Sequence, residues 1–519
     1  MIKLLLFLFS FCLISTCIAQ QPSIQWAKCY GYGDQDYAKS IIQTMDGGYI
    51  VAGDSYTFYD STTIDNHGLF DFLIIKLDNQ GNIQWQKFYG GSSYDRANTI
   101  LQTLDSGFII AGTTSSNDGD ITSNIGSLDG WIVKIDSVGL IQWQKTIGGL
   151  NEDYISEMKA DYDGYIIAGY TTSNDTLVSG NNGLEDYWLT KIDNSGNVLW
   201  QKVFGGSSYD EATCVIVTSD SGYAIAGRSR STDFDVVGNH GFFDCWVLKL
   251  DGNGNSIWKK SFGGLQLDEA SAILQTDDNG FVVLGTTDSN DGDVSGNYGN
   301  SDYWIVKLDS SGNLLWQKCL GGSQNDFGKS ICRINNNHFA VAGYSLSNDG
   351  DATFCHGDYD YWITEIDSDA NIIWQHSFGG SGVDFPYSIL QTNDSGLIIS
   401  GLTKSSNDGD VTGHIGGNCF GDSCSDYWIL KLAPLTTFIS DKQSSQLSFS
   451  INPNPTKAKF TIKLNSVANN ILIEIYDVSG VNVYSEKLYG ENEYLIDAIF
   501  ARGIYFVRVN GIVRKLVIY

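Results

Sequence analysis

The chain has 519 residues, length for about three domains, with 31 basic and 60 acidic residues and a formal charge of −29. That balance excludes nucleic acid as the main partner, because phosphate binding needs clustered Lys and Arg. An aromatic content of 13% against 18% charged residues excludes a disordered chain, and abundant Gly (58) with scarce Pro (5) suits short strands joined by many turns.

Residues 1–19 read as a secretory signal peptide: Lys3 is the positive region, Leu4 to Ile14 the apolar run, and Cys17-Ile18-Ala19 a small-x-small cleavage site. An uncleaved anchor is the alternative, but the run is short for a span of about 20 residues. No other segment is apolar enough to cross a bilayer, so no transmembrane segment is expected in the mature chain. Eight cysteines follow the signal. Only Cys419 and Cys424, flanking a four-residue loop, are expected to pair. Cys29 and Cys319 hold one repeat position and suit a small buried side chain.

Tryptophan sets a repeat of about 58 residues. Trp26, Trp85, Trp143, Trp200, Trp258, Trp316 and Trp374 form one series; Trp131, Trp188, Trp246, Trp304, Trp362 and Trp428 form the second, with Leu73 in its first place. Together they account for all 13 tryptophans, which predicts core filling rather than a binding cage. Each copy holds four strand-like runs. In one they are 97–103, 108–113, 131–136 and 140–147, separated by Asp/Ser/Gly turns and one polar loop. The last copy lacks its fourth strand, and a lone fourth strand containing Trp26 precedes the first copy. A ring closed by that strand leaves no open edge. The expected fold is all-β, a seven-bladed β-propeller over 22–432.

The copies, of the type GG-x3-D…T-x-D-x-G-[FY]-x-[IV]-A-G…D-Y-W-[IV]-x-K-[IL]-D…G-N-x-x-W-Q-K, resemble secreted β-propeller repeat proteins. That resemblance speaks to fold and not to activity. One Asp series recurs between copies (Asp36, Asp95, Asp153, Asp210, Asp268, Asp326, Asp384). A second precedes the aromatic pair (Asp71, Asp129, Asp186, Asp244, Asp302, Asp360, Asp426). Both are expected to cap turns. Four long loops carry Asn-Asp-Gly-Asp, so Asp118, Asp120, Asp291, Asp293, Asp349, Asp351, Asp408 and Asp410 are candidate ligands for calcium, which needs six to eight oxygens. The same residues are plain turn formers, and no copy has the EF-hand spacing. His67, His240 and His356 share one loop register and read as loop packing. The sixth copy replaces a usual Lys pair with Glu365 and His376.

A linker over 433–447 leads to a separate unit, 448–519; from Asp441 onward seven acids and nine bases contrast with the acidic repeats. Its runs at 459–464, 471–476, 481–488, 503–509 and 513–519 read as a small Ig-like β-sandwich. The pieces Asn452-Pro453-Asn454-Pro455-Thr456, Ile475-Tyr476-Asp477-Val478-Ser479-Gly480, Gly503-Ile504-Tyr505 and Lys515-Leu516-Val517-Ile518 resemble the C-terminal sorting domain (type A) of type IX secretion cargo. The resemblance implies Sec export, handling by the type IX machinery, and a secreted or outer-membrane-surface destination. No nucleophile elbow, HExxH or P-loop is present. The expectation is a non-catalytic binding or adhesion module for a glycan or protein, on an Asp-rich face. A secreted carboxylate-dependent hydrolase or lyase is the alternative.

Overall fold

A computed structural model of the chain describes residues 21–32, 34–56, 66–334, 338–415, 424–434, 449–456, 459–464, 471–477, 482–488, 493–497, 500–509 and 512–518. The signal segment, most of the linker, Cys419 and Gly480 lie outside the described residues. The chain divides into two compact units, Met1–Thr436 and Thr437–Tyr519. Every regular element among the described residues is a β-strand.

The first unit is a succession of four-stranded antiparallel sheets. The second of them is typical: Asp95–Gln102, Phe108–Thr114, Asp129–Ile135 and Ile141–Ile147, paired in that order. The first and third of these strands begin two residues before the apolar runs, each at a recurrent Asp. The reason is a handover between sheets: Asp153 N–H donates to Leu128 O (2.7 Å) and Asp210 N–H to Glu185 O (2.6 Å), so pairing starts at the recurrent Asp. The second strand is buried along its whole length, as is the third, because each sheet packs both faces against neighbours. The second-series tryptophans are all at most 1% exposed. The first-series ring of one sheet lies under the turn glycine of the next. Gly139 has φ +81°, and a Cβ there would stand 3.2 Å from the Trp85 ring, so this Gly, four residues before Trp143, is fixed by backbone and packing together.

The seventh sheet is completed from the far end of the sequence. Ile24–Tyr30 pairs with Asp426–Leu432, Ala27 opposite Leu430 and Tyr30 opposite Tyr427. The same bonds that join successive sheets also join the last to the first. Asp36 N–H donates to Ser425 O (2.8 Å). Tyr427 Oη–H donates to Leu73 O (3.0 Å), as Tyr187 does to Trp246 O (2.9 Å) and Tyr303 to Trp362 O (2.9 Å).

In the second unit, one sheet is ordered Phe449–Asn452, Phe460–Leu464, Glu493–Ile496 and the other Asn482–Leu488, Ile471–Asp477, Gly503–Val509, Ile512–Ile518. They share one core that includes Phe449, Ile451, Phe460, Ile475, Tyr505, Val507 and Leu516. The alternation in Gly503–Val509, with Tyr505, Val507 and Val509 buried, is that of a strand with one wet face. The four-residue strands Phe449–Asn452 and Glu493–Ile496 are absent from the sequence reading; both are too short for a periodic signal.

Candidate functional site

Two sets of residues meet where the long loops and the sheet-to-sheet connections gather. One set is repeated and holds the backbone. The other changes from sheet to sheet.

The first Asp series is buried and used up by the fold. Asp95 accepts from Gly91 N–H (2.7 Å), Ser116 Oγ (2.8 Å) and Thr114 Oγ1; Asp268 repeats this with Gly264, Ser289 and Thr287. The second series accepts the N–H four residues back in six sheets, for example Asn182 to Asp186 (2.8 Å) and Tyr298 to Asp302 (2.9 Å). Both series cap turns, as expected. His240 and His356 set Nδ1 2.8 Å from Asp244 and Asp360, which makes them loop braces. Burial pushes these carboxyls up against the donors that pull them down. Asp71, Asp186, Asp302 and Asp384 reach about 7 and Asp244 about 6.

The Asn-Asp-Gly-Asp loops lash each sheet to the connection before it. Asp118 Oδ1 accepts from Ser92 N–H (2.7 Å), Asp291 from Leu265 (2.9 Å), Asp349 from Ser323 (2.7 Å) and Asp408 from Ser381 (3.1 Å). The second Asp of each motif donates its own N–H to a connection glycine: Asp120 to Gly90 O, Asp293 to Gly263 O, Asp351 to Gly321 O and Asp410 to Gly379 O, at 2.8–2.9 Å. Two sheets without the motif make the same lash, Asp175 with Leu150 N–H (2.7 Å) and Asp233 with Ser207 N–H (2.8 Å). The bond therefore goes with the loop and not with the full motif. Among the described residues, no group of three His, Cys, Asp or Glu is placed to hold a metal ion.

Cys424 is disulfide-bonded, while Cys29, Cys214, Cys245, Cys319, Cys332 and Cys355 are free thiols. Burial pushes Cys319 up to about 12, so it is inert packing.

The strand Lys of six sheets is buried against a turn Asp, as in Lys76–Asp46 (2.8 Å) and Lys134–Asp105 (2.9 Å). The sixth sheet reverses the pair. Glu365 accepts from Trp374 Nε1 (2.5 Å) and lies 2.7 Å from His338 Nδ1. His376 stands elsewhere, opposite Ile363 and edge-on to Phe378. Glu365 and His376 are thus not a catalytic couple. Replacing Glu365 by Lys alone would set a buried ammonium beside His338 and is expected to cost about 2 kcal/mol. The double change His338→Asp with Glu365→Lys sets a carboxylate beside the new ammonium, although from the position that is glycine in the other sheets, and is expected to recover part of the loss; denaturant unfolding of the three proteins checks this.

The variable set begins one residue after each recurrent Asp. There the first and second strands face each other as Tyr37/Asp54, Arg96/Thr113, Tyr154/Tyr170, Glu211/Arg228, Glu269/Thr286, Phe327/Tyr344 and Phe385/Leu402. No pair repeats. Arg228 takes Glu211 through two bonds (2.8 and 2.9 Å) and reaches Glu269 of the next sheet (3.1 Å). Glu185 beside Glu211 is pushed up to about 7 by burial and by its neighbour's charge. Arg96 lies 3.9 Å from Asp54 and 4.2 Å from the Phe70 ring centroid. Tyr344 and Phe385 pack at 4.2 Å, and Tyr154 stacks on Tyr170 at 5.1 Å. Below this rim a cavity of about 660 Å³ is lined by the first strands of all seven sheets. The sequence reading looks for one polar residue unique to one copy and passes over this rim. The usable signal is a register that wanders among Tyr, Arg, Glu and Phe, with no two cross-strand pairs alike, while its neighbour, the Asp, stays fixed.

Residues 450–518 match the family model for the secretion system C-terminal sorting domain. The sequence resemblance to type IX cargo is borne out there, and Asn454 shows how its motif works: the side chain accepts from Val517 N–H (3.0 Å) and donates to Lys515 O (2.6 Å), clamping the last strand. Tyr505 is in the core, its hydroxyl donating to Ala501 O (2.9 Å), and faces Asp477 across the sheet. Among curated proteins, the regulatory protein FlaEY of Caulobacter vibrioides is 28% identical over 187 residues, 32% of this chain; the chain spans 19% of that protein's length. Solved structures of similar outline include a fungal alcohol oxidase of the AA5 family in complex with copper (10% identity, 96% of this chain and 99% of that one, TM-score 0.40). PorZ, a surface component of the type IX secretion system of Porphyromonas gingivalis, is 11% identical over 94% of this chain and 60% of that one, with a TM-score of 0.40. These likenesses are too distant to carry over an activity.

Proposed function

We propose that residues 22–432 form a seven-bladed β-propeller acting as a secreted or cell-surface binding module. Residues 448–519, an Ig-like sandwich, deliver it through the type IX machinery, after a Sec signal at 1–19. The family match over 450–518 supports delivery. The observation that carries binding is the rim: seven cross-strand pairs, all different, on a scaffold that otherwise repeats. A purely architectural ring would repeat there too. The carboxylate-dependent hydrolase or lyase is less well served, because the close pair Glu185 and Glu211 has Glu211 neutralised by Arg228 through two bonds.

Deleting 441–519 is expected to leave the chain inside the cell envelope, with none on the surface or in the medium by fractionation and immunoblot. Normal export of the truncation would refute the delivery reading. For binding, the purified chain is expected to retain a glycan or surface protein from an array, and Phe327→Ala with Phe385→Ala to lose it; no retained ligand, or one indifferent to the rim, would refute the binding reading.

A further inference from the structure

One side of the cavity wall is committed to the fold and the other is not. Two residues beyond the rim pairs, Asn98, Ser156 and Thr213 each donate to a backbone carbonyl of the following sheet: Ile155, Ala212 and Ala270, all at 2.7 Å. The same register in the sixth, seventh and first sheets holds Lys329, Tyr387 and Lys39, adjacent to one another around the ring. Among the described residues no hydrogen bond or ion pair reaches either ammonium. Of the carboxylates that face them, Glu269 is bound to Arg228 (3.1 Å), while Asp54, 3.9 Å from Arg96, touches neither lysine and acts on Lys39 only through its field, holding that ammonium above the usual range. Instead each lysine rests on aromatic faces. Lys39 Nζ lies 5.3 Å from the Tyr387 centroid, and Lys329 Nζ lies 5.7 Å from that of Tyr344 and 6.0 Å from that of Phe327.

Taking an ammonium partly out of water without a contacting counter-charge costs stability, and a cation–π contact offsets only part of it. Six other strand lysines of this unit have their Asp, so the fold has a ready way to pair a lysine and does not use it here. The asymmetry is sharper because the chain as a whole carries −29. An acidic surface gives no general reason to draw cations inward without partners. Burial holds the Tyr387 hydroxyl well above its ordinary range, so it stays a donor. Lysines at both ends with a phenol between make an arc that offers hydrogen-bond donors and positive charge. The Tyr344 and Phe385 rings beside it offer apolar cover.

We propose that this arc, Lys329–Tyr387–Lys39, binds a small organic carboxylate, the two ammoniums taking the charge and the aromatic rings covering the body of the ligand. The proposal rests on the reading of the channel mouth as the binding surface and names the chemistry it selects. A carboxylate could come from an acidic sugar or from a peptide C-terminus; the chemistry at the arc is the same.

The test is calorimetry on the purified full chain with glucuronate, with N-acetylalanine, and with glucose as the neutral control. Heat from either carboxylate and none from glucose is expected, and which of the two binds tells the source. Lys39→Met and Lys329→Met are each expected to weaken that binding at least tenfold. The melting temperature of Lys329→Met should stay level or rise, because burial without a contacting carboxylate already holds that ammonium below its usual range; this readout separates a lost ligand contact from a lost fold, whereas Lys39→Met, which takes a cation from Asp54, is expected to melt lower. Equal heat from glucose, no heat from either carboxylate, or unchanged affinity in both lysine variants would overturn the proposal. An array ligand that needs the rim but carries no carboxylate would overturn it and leave the binding module standing. An array with no rim-dependent ligand would remove both.

Discussion

Removing residues 21–30 is expected to abolish cooperative unfolding of the N-terminal unit. That segment supplies the fourth strand of the seventh sheet, in register with Asp426–Leu432 over six residue pairs. At about 1 kcal/mol per backbone bond, the pairing alone is comparable with the whole stability of an ordinary domain. The loss extends into the neighbouring sheet. Tyr30 Oη–H donates to Gly81 O (2.6 Å), and Lys28 Nζ reaches Gln80 O and Asn82 Oδ1 (both 2.9 Å). Trp26 packs under Gly81 as Trp85 packs under Gly139. Without the segment, Asp426–Leu432 becomes an open edge of largely apolar residues, a template for aggregation. Denaturant unfolding and dye binding would report it: a broad, non-cooperative transition with exposed apolar surface. A truncated protein melting sharply within a few degrees of the parent would show that the ring does not depend on its closing strand.

Mild acid is expected to stabilise the protein, the reverse of the usual behaviour of carboxylate-rich chains. Asp71, Asp186, Asp302 and Asp384 titrate near 7 in the folded state and Asp244 near 6, against about 3.9 in an unfolded chain. Between these limits the folded state binds more protons, so stability rises as pH falls from about 7 to about 4. Relief of self-repulsion in a chain of −29 acts in the same direction. The opposing group is Asp46, Asp105 and Asp278, held near 2 by their lysine and threonine partners. Their contribution is lost only below about 4, where the unfolded chain takes up protons. The melting temperature should therefore climb by roughly 5 °C or more from pH 7.5 to pH 5, then fall steeply in stronger acid. A steady decline from pH 7.5 to 5 would mean that the buried aspartates are ionised in the fold.

Much of this molecule is written in recurrence. The thirteen tryptophans, the two Asp series and the strand deficit at Leu432 give the repeat, its phase and the role of Ile24–Tyr30, because core packing and turn capping impose the same demand on every copy. What the sequence hides is where a side chain is aimed. Asp118 and Asp291 look like oxygen ligands in a loop, and only the fold brings Ser92 and Leu265 N–H, 26 residues earlier, to their carboxylates. The rim is hidden for the opposite reason. Tyr37, Arg96, Tyr154, Glu211, Glu269, Phe327 and Phe385 share a register but no common residue type, so a search for sameness steps over them. Lys39 and Lys329 look like the other strand lysines until the positions of Asp54 and Glu269 are known. In the tail, the motif around Asn454 and Tyr505 is recognisable, whereas two four-residue strands are not.

The lash made by Asp118, Asp175, Asp233, Asp291, Asp349 and Asp408 decouples the frame from its decoration. With the buried Asp one position before each facing pair, it holds the main chain of each connection, so the seven first-strand residues of those pairs, all partly exposed, are not needed for that task. Such a frame can change its decoration by piecemeal drift, one sheet at a time, with the other sheets indifferent to the change. It is a natural display scaffold: a library randomised over those seven sites should yield mostly folded members.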